Sequence, residues 1–155
     1  MLCLSRSTQP GSLTLEVRNT ASKDAVLNLG IMLANGARQY PTAITLLLTD
    51  AEGKEHHAES AEPLGIIGGR LDPFIVPLPS GASFKLPLHI YKCVWYADGK
   101  LEDFEPDPQK HYTLQAQFTG KGVTQAEANL DVKGLALMPY WTGIAVSNTV
   151  LTTKK

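Results

Sequence analysis

Apolar and polar side chains alternate along most of this chain. Leu13, Leu15 and Val17 point one way while Thr14, Glu16 and Arg18 point the other, the period-2 signature of a half-buried strand. After the polar turn Asn19–Asp24, a second face runs through Leu27, Leu29, Ile31 and Leu33, and Asn35-Gly36 ends it as a turn dipeptide whose residues tolerate φ > 0. A third run places Ile44, Leu46 and Leu48 opposite Thr45, Leu47 and Thr49, and Asp50-Ala51-Glu52-Gly53 closes it as a hairpin. The return from Lys54 is polar, which predicts an edge strand. Residues 60–73 are a Gly/Pro-punctuated connection, and Phe74–Leu78 carries a proline, which suits an edge or a strand end.

The clearest pair follows. Phe84, Leu86, Leu88 and Ile90 alternate with Lys85, Pro87 and His89; Tyr112, Leu114, Ala116 and Phe118 alternate with Thr113, Gln115 and Gln117. Between them the sequence predicts a loop of about twenty residues, Tyr91–Lys110, and loops of that length are uncommon in compact domains and tend to be functional or mobile. Residues 124–134 fit either a short helical turn, through the capping box Thr124–Glu127, or a strand. Ile144–Thr153 is rich in β-branched residues and ends the chain as a strand. Seven or so short strands without helical periodicity predict an all-β fold, a single antiparallel sandwich. Residues 1–11 read as a flexible N-terminal tail, with 12–155 as the β-sandwich domain.

Part of this chain resembles bacterial immunoglobulin-like sandwich domains. The residues that carry the resemblance are Pro79-Ser80-Gly81 leading into Phe84-Lys85-Leu86, the strand start His111-Tyr112-Thr113-Leu114, and Trp141-Thr142-Gly143 through Ser147-Asn148-Thr149-Val150. It spans roughly residues 74–153, and the Cys…Trp…Cys pattern of antibody-type domains is missing. The resemblance implies an immunoglobulin-like fold and a bacterial source. Domains of this kind serve many functions, so it implies no particular activity.

Composition removes several function classes. A chain of 155 residues predicts one domain. Lys+Arg 14 against Asp+Glu 15 leaves no electrostatic footprint for nucleic acid. No stretch reaches the roughly 18 apolar residues of a membrane span. The two cysteines, Cys3 and Cys93, are too few for a disulfide scaffold and read as unpaired thiols. Met1–Leu4 is too short for the apolar core of a secretory signal. The expected compartment is extracytoplasmic if an upstream signal or lipid anchor lies outside this chain, and cytoplasmic otherwise.

Candidate chemistry is sparse. His56 and His57 are adjacent, so on a strand they face opposite ways and cannot grip one ion; His89 and His111 lack neighbours at ligand spacing, and all four read as surface histidines without metal. Glu102-Asp103-Phe104-Glu105-Pro106-Asp107 is the best calcium suspect, yet it lacks the Asp-x-Asp-x-Asp-Gly pattern and reads as a solvated loop. There is no Gly-x-Ser-x-Gly elbow, and Gly65–Arg70 lacks the Gly-Lys-Ser/Thr ending of a phosphate loop. These absences predict a non-enzymatic chain without a cofactor.

Aromatics remain. Tyr91, Trp95 and Tyr96 fall in or beside the long loop, and Tyr140-Trp141 precedes the final strand. Such rings bring large contact area at low entropic cost, which makes them candidate contacts for a protein or carbohydrate partner. Tyr112 and Trp141 equally suit core or corner positions, so Trp95 and Tyr96 lead the set. The expectation is a binding module that docks by loop aromatics or by strand addition. The alternatives are a purely structural domain of a larger assembly and a loop-presenting proteinase inhibitor. For the latter, Gly65–Arg70 and Met138–Trp141 resemble in outline the Gly-rich and Pro-aromatic loops of chagasin-like cysteine-protease inhibitors, without matching that family's pattern.

Overall fold

Period-2 alternation becomes paired strands wherever two apolar faces meet. The structure, a computed structural model, describes residues 1–30, 41–59, 74–97, 100–122 and 139–152. The Asn35-Gly36 turn, the 60–73 connection with Gly65–Arg70, and the 124–134 segment lie outside the described residues.

Three strands form the smaller sheet: β1 (Leu2–Arg6), β2 (Ser12–Arg18) and β7 (Ser83–His89), in the order β1-β2-β7. In it Leu4 faces Leu15, which in turn faces Leu86, and all three are buried. A two-stranded sheet of β3 (Ala25–Asn28) and β6 (Ile75–Leu78) extends this ladder, because the chains leaving β2 and entering β7 pair again as Ala25↔Leu78 through Asn28↔Ile75. Asn19 bridges the interruption: its Nδ2 donates to the Lys23 and Leu78 carbonyls while its Oδ1 accepts from Ala21 N–H.

The larger sheet has seven strands. Its order is β11 (Gly143–Val146), β10 (Thr113–Gly120), β4 (Ile44–Thr49), β5 (Glu55–Glu59), β8 (Val94–Ala97) and β9 (Lys100–Leu101), with β12 (Val150–Leu151) also on β10. Every pairing is antiparallel. Ile44, Leu46, Leu48, Leu114, Ala116, Phe118, Ala58 and Trp95 line its inner face and join Leu4, Leu13, Leu15, Leu86 and Leu88 of the smaller sheet in one core. The molecule is an all-β sandwich, as the alternation predicts.

Three expectations need correction. Residues 2–6 are a strand and not a tail: Leu2 and Leu4 are buried, and β1 pairs with β2 from Leu2↔Val17 to Arg6↔Leu13. The Pro10-Gly11 dipeptide is the end of a hairpin turn, with Gly11 at φ 72. The return strand from Lys54 is not an edge, because β5 lies between β4 and β8. The long Tyr91–Lys110 loop holds structure of its own, a 3₁₀ turn at Ile90–Lys92 followed by β8 and β9.

The Asp50–Gly53 hairpin forms as expected. Asp50 Oδ1 accepts from Glu52 N–H and Lys54 N–H, and Gly53 takes φ 85. The far edge is closed by an amide. Asn148 stands in the bulge between β11 and β12; its Oδ1 accepts from Leu4 N–H at 2.8 Å and its Nδ2 donates to Leu4 C=O at 2.9 Å. One side chain thereby pairs the outer edge of β1 as a neighbouring strand would, and ties the two sheets together.

Candidate functional site

The larger sheet is wider than the smaller one, so the inner faces of β5 and β8 need another cover. Residues 102–106 provide it. Along this stretch Glu102, Phe104 and Pro106 turn inward while Asp103 and Glu105 stay exposed, the alternation of an extended segment. Backbone contacts tie both ends: Glu102 N–H donates to Trp95 C=O at 2.9 Å and Asp107 N–H to the Tyr112 hydroxyl at 3.0 Å. Between these ties Phe104 lies edge-on to Trp95 and to Tyr112, with ring centres 5.8 and 6.2 Å away.

Phe104 also stacks flat on His56, centre to centre 3.8 Å with 7° between the planes. His56 is 2% exposed, so it is no surface histidine. Its Nδ1 lies 2.6 Å from Glu102 Oε2, and its Nε2 lies 3.5 Å from Asp50 Oδ2, beyond a well-formed hydrogen bond. Lys54 Nζ pairs with the other oxygen of Glu102. The Lys54 ammonium and then His56 hold the Glu102 carboxyl below its ordinary range. For Asp50 partial burial pulls upward, but the Lys54 amide, His56 and the Glu52 amide outweigh it and the carboxyl is lowered. Glu102, expected on a solvated loop, is instead a partner for a buried imidazole. No sequence spacing announces this, because the two residues are 46 positions apart.

Beside this segment lies a groove of about 660 Å³. Tyr91, Leu101, Phe104, Pro106 and Pro108 give it apolar walls, Trp95 and Cys93 line its depth, and Glu102, Asp103 and Glu105 supply carboxylates. Tyr91 is 40% exposed and also lines a second depression of about 310 Å³ beside Arg6–Ser12. Its ring lies over Gly11, where a Cβ would come within 2.4 Å of Tyr91 Cε2. Burial, then the neighbouring Tyr112 and Asp107, raises the Tyr91 phenol above its usual value.

The five aromatics named from the sequence separate. Tyr91 stands at the groove mouth. Trp95 is 1% exposed and belongs to the core, so it is not the exposed loop residue the sequence reading made it. Tyr96 follows Trp95 on β8 and therefore points to the opposite face of the sheet, where it faces His57 and Leu101 in register. The rule that separates His56 from His57 thus also separates Trp95 from Tyr96. Tyr140 forms a parallel bridge with Val26, and burial raises its phenol. Trp141 is half-buried and stacks on Phe118 at 5.3 Å. Trp141 also lies against Gly120, where a Cβ would come within 2.3 Å of its ring, so it is a corner residue of the sandwich.

Among the described residues, no group of three or more His, Cys, Asp or Glu side chains is placed to hold a metal ion, and no helix is long and apolar enough to cross a membrane. Cys3 is exposed on β1 and Cys93 is buried, its thiol donating to His89 C=O at 3.4 Å; neither is in a disulfide. No family model matches the chain, and neither a curated protein nor a solved structure matches it significantly.

Proposed function

We propose that this chain is a non-enzymatic binding module, an immunoglobulin-like β-sandwich that takes a protein segment into the groove between the 3₁₀ turn and residues 102–108. The observation that carries the reading is the groove itself. A concavity of about 660 Å³ combines an exposed tyrosine, proline walls and carboxylates on a rigid sheet, the mixture that ligand sites use for contact area and orientation. A carbohydrate would use the same groups, with Tyr91 as the stacking ring and Asp103 or Glu105 as hydroxyl acceptors.

The experiment is a peptide and glycan array probed with the full chain, with Tyr91→Ala and the double variant Asp103→Asn/Glu105→Gln beside it. The expected result is a set of ligands lost by both variants and kept by Tyr96→Ala. Ligands bound equally by all forms, or no ligand on either array, would refute the groove reading.

A second reading, strand addition, has its own support at the β11–β12 edge. Ile144, Val146 and Leu151 are 66%, 49% and 61% exposed there, and β11 carries neither a charge nor a proline. The edge of β1 is by contrast capped by Asn148, and β6 contains Pro77. The inhibitor alternative has less support. Of its two loops only Pro139–Trp141 lies among the described residues, and there Tyr140 and Trp141 pack against the sandwich.

A further inference from the structure

We propose that residues 102–106 form a pH-controlled strap on the inner face of the larger sheet, latched by the cationic form of His56, and that loss of this proton loosens the strap and reshapes the groove. The inference names a regulation of the groove and so rests on reading that groove as the binding site.

The geometry around one ring carries it. His56 sits on an inner face whose neighbours, Leu48 opposite it on β4 and Ala58 further along β5, are apolar and buried. A polar ring there is tolerated only when its nitrogens are matched. Both nitrogens face carboxylates: Nδ1 faces Glu102 at 2.6 Å and Nε2 faces Asp50 at 3.5 Å. A neutral imidazole carries one N–H, so whichever nitrogen holds it, the other turns a lone pair toward a carboxylate oxygen. The imidazolium alone turns an N–H toward each carboxylate, as a hydrogen bond to Glu102 and as a longer ion-pair contact with Asp50.

Phe104 adds to this preference, because a ring stacked at 3.8 Å attracts the cation through its π face. The strap therefore holds His56 through two residues, Glu102 and Phe104, and both contacts weaken when the proton leaves. Among the described residues, the other charged group facing this cluster is Lys54, on the second oxygen of Glu102. From β8 the uncharged Trp95 packs edge-on against Phe104. Glu55 and His57, on the same strand, belong to the opposite face, where they lie 3.9 Å apart.

The sign follows from which form each group needs. The His56 contribution needs the protonated ring and is lost with that proton as pH rises. The Glu102 and Asp50 contributions need ionised carboxyls, whose titrations are displaced downward, so those are lost only on strong acidification. The strap is consequently tightest at intermediate pH and loosens on both sides. Loosening moves Phe104 away from Trp95, the residue lining the depth of the groove.

The test needs no ligand. In the full chain, the His56 C2–H and Trp95 indole N–H resonances are followed by proton NMR against pH, assigned through His56→Gln and Trp141→Phe. Hydrogen exchange of the Glu102 amide is measured in parallel. The expected result is a shared midpoint for the two resonances and a roughly tenfold fall in Glu102 protection, corrected for intrinsic exchange, as His56 loses its proton. Glu102→Gln, with unchanged circular dichroism, is expected to uncouple them. A Trp95 signal that stays flat while His56 titrates overturns the proposal, as does a His56 that keeps its proton until the protein unfolds. A strap that responds to pH on a chain with no array ligands would refute the binding reading alone.

Discussion

Replacing Asn148 by alanine removes the side chain that closes the edge of β1 at Leu4. Two hydrogen bonds disappear at once, from Leu4 N–H to Oδ1 at 2.8 Å and from Nδ2 to Leu4 C=O at 2.9 Å. Each such bond contributes roughly 0.5–1.5 kcal/mol net. Both are only partly buried, so water recovers some of the loss and the expected cost of Asn148→Ala is about 1–2 kcal/mol. For a domain of this length that is a fall in melting temperature of about 3–6 °C. The assay is urea unfolding followed by far-UV circular dichroism, with a lower midpoint and an unchanged slope. Asn148→Asp sharpens the test, because a carboxylate accepts from Leu4 N–H but turns lone pairs toward Leu4 C=O. The native state then favours the protonated acid, and the destabilisation is expected to shrink as pH falls toward about 4. A midpoint unchanged within about 0.3 kcal/mol in Asn148→Ala, or no pH dependence of the deficit in Asn148→Asp, would refute the seam.

Other outcomes follow from the packing and the charges. Gly120→Ala places a Cβ 2.3 Å from the Trp141 ring and 2.7 Å from its carbonyl oxygen, so a loss of about 2–3 kcal/mol is expected in denaturant titration; wild-type stability would contradict the corner packing. Trp95→Ala is expected to cost about 3–5 kcal/mol through a core cavity, whereas Tyr96→Ala, on the outer face, changes the thermal midpoint little; equal effects would return Trp95 to the surface. Asp50 and Glu102 titrate below their ordinary values of 3.8 and 4.5. The stability they contribute is present above those values and lost as pH falls through the depressed ones. Unfolding midpoints measured down to about pH 2 are expected to show this acid limb, and Glu102→Gln is expected to flatten it.

Local pattern alone determined much of this protein. The alternation through Leu13–Val17, Ile44–Leu48, Phe84–Leu88 and Leu114–Phe118 specified the strands β2, β4, β7 and β10 and the faces they bury, because side-chain direction on a strand has a fixed period of two. The Asp50–Gly53 turn was equally legible, since a glycine at positive φ and an Asx side chain act within a few residues.

Tertiary structure decided what the local pattern could not contain. A five-residue strand with two inward leucines, β1, offers too short a pattern to separate from a tail until β2 is beside it. Trp95 reads as a loop aromatic because nothing nearby reveals that β5 will pair with β8 and turn the indole inward. His56 reads as a surface histidine because its partner Glu102 is 46 residues away, and Asn148 reads as part of the final strand because Leu4 is 144 residues away. A buried polar group is allowed only by the partner that satisfies it, and that partner is supplied by the fold rather than by its sequence neighbours.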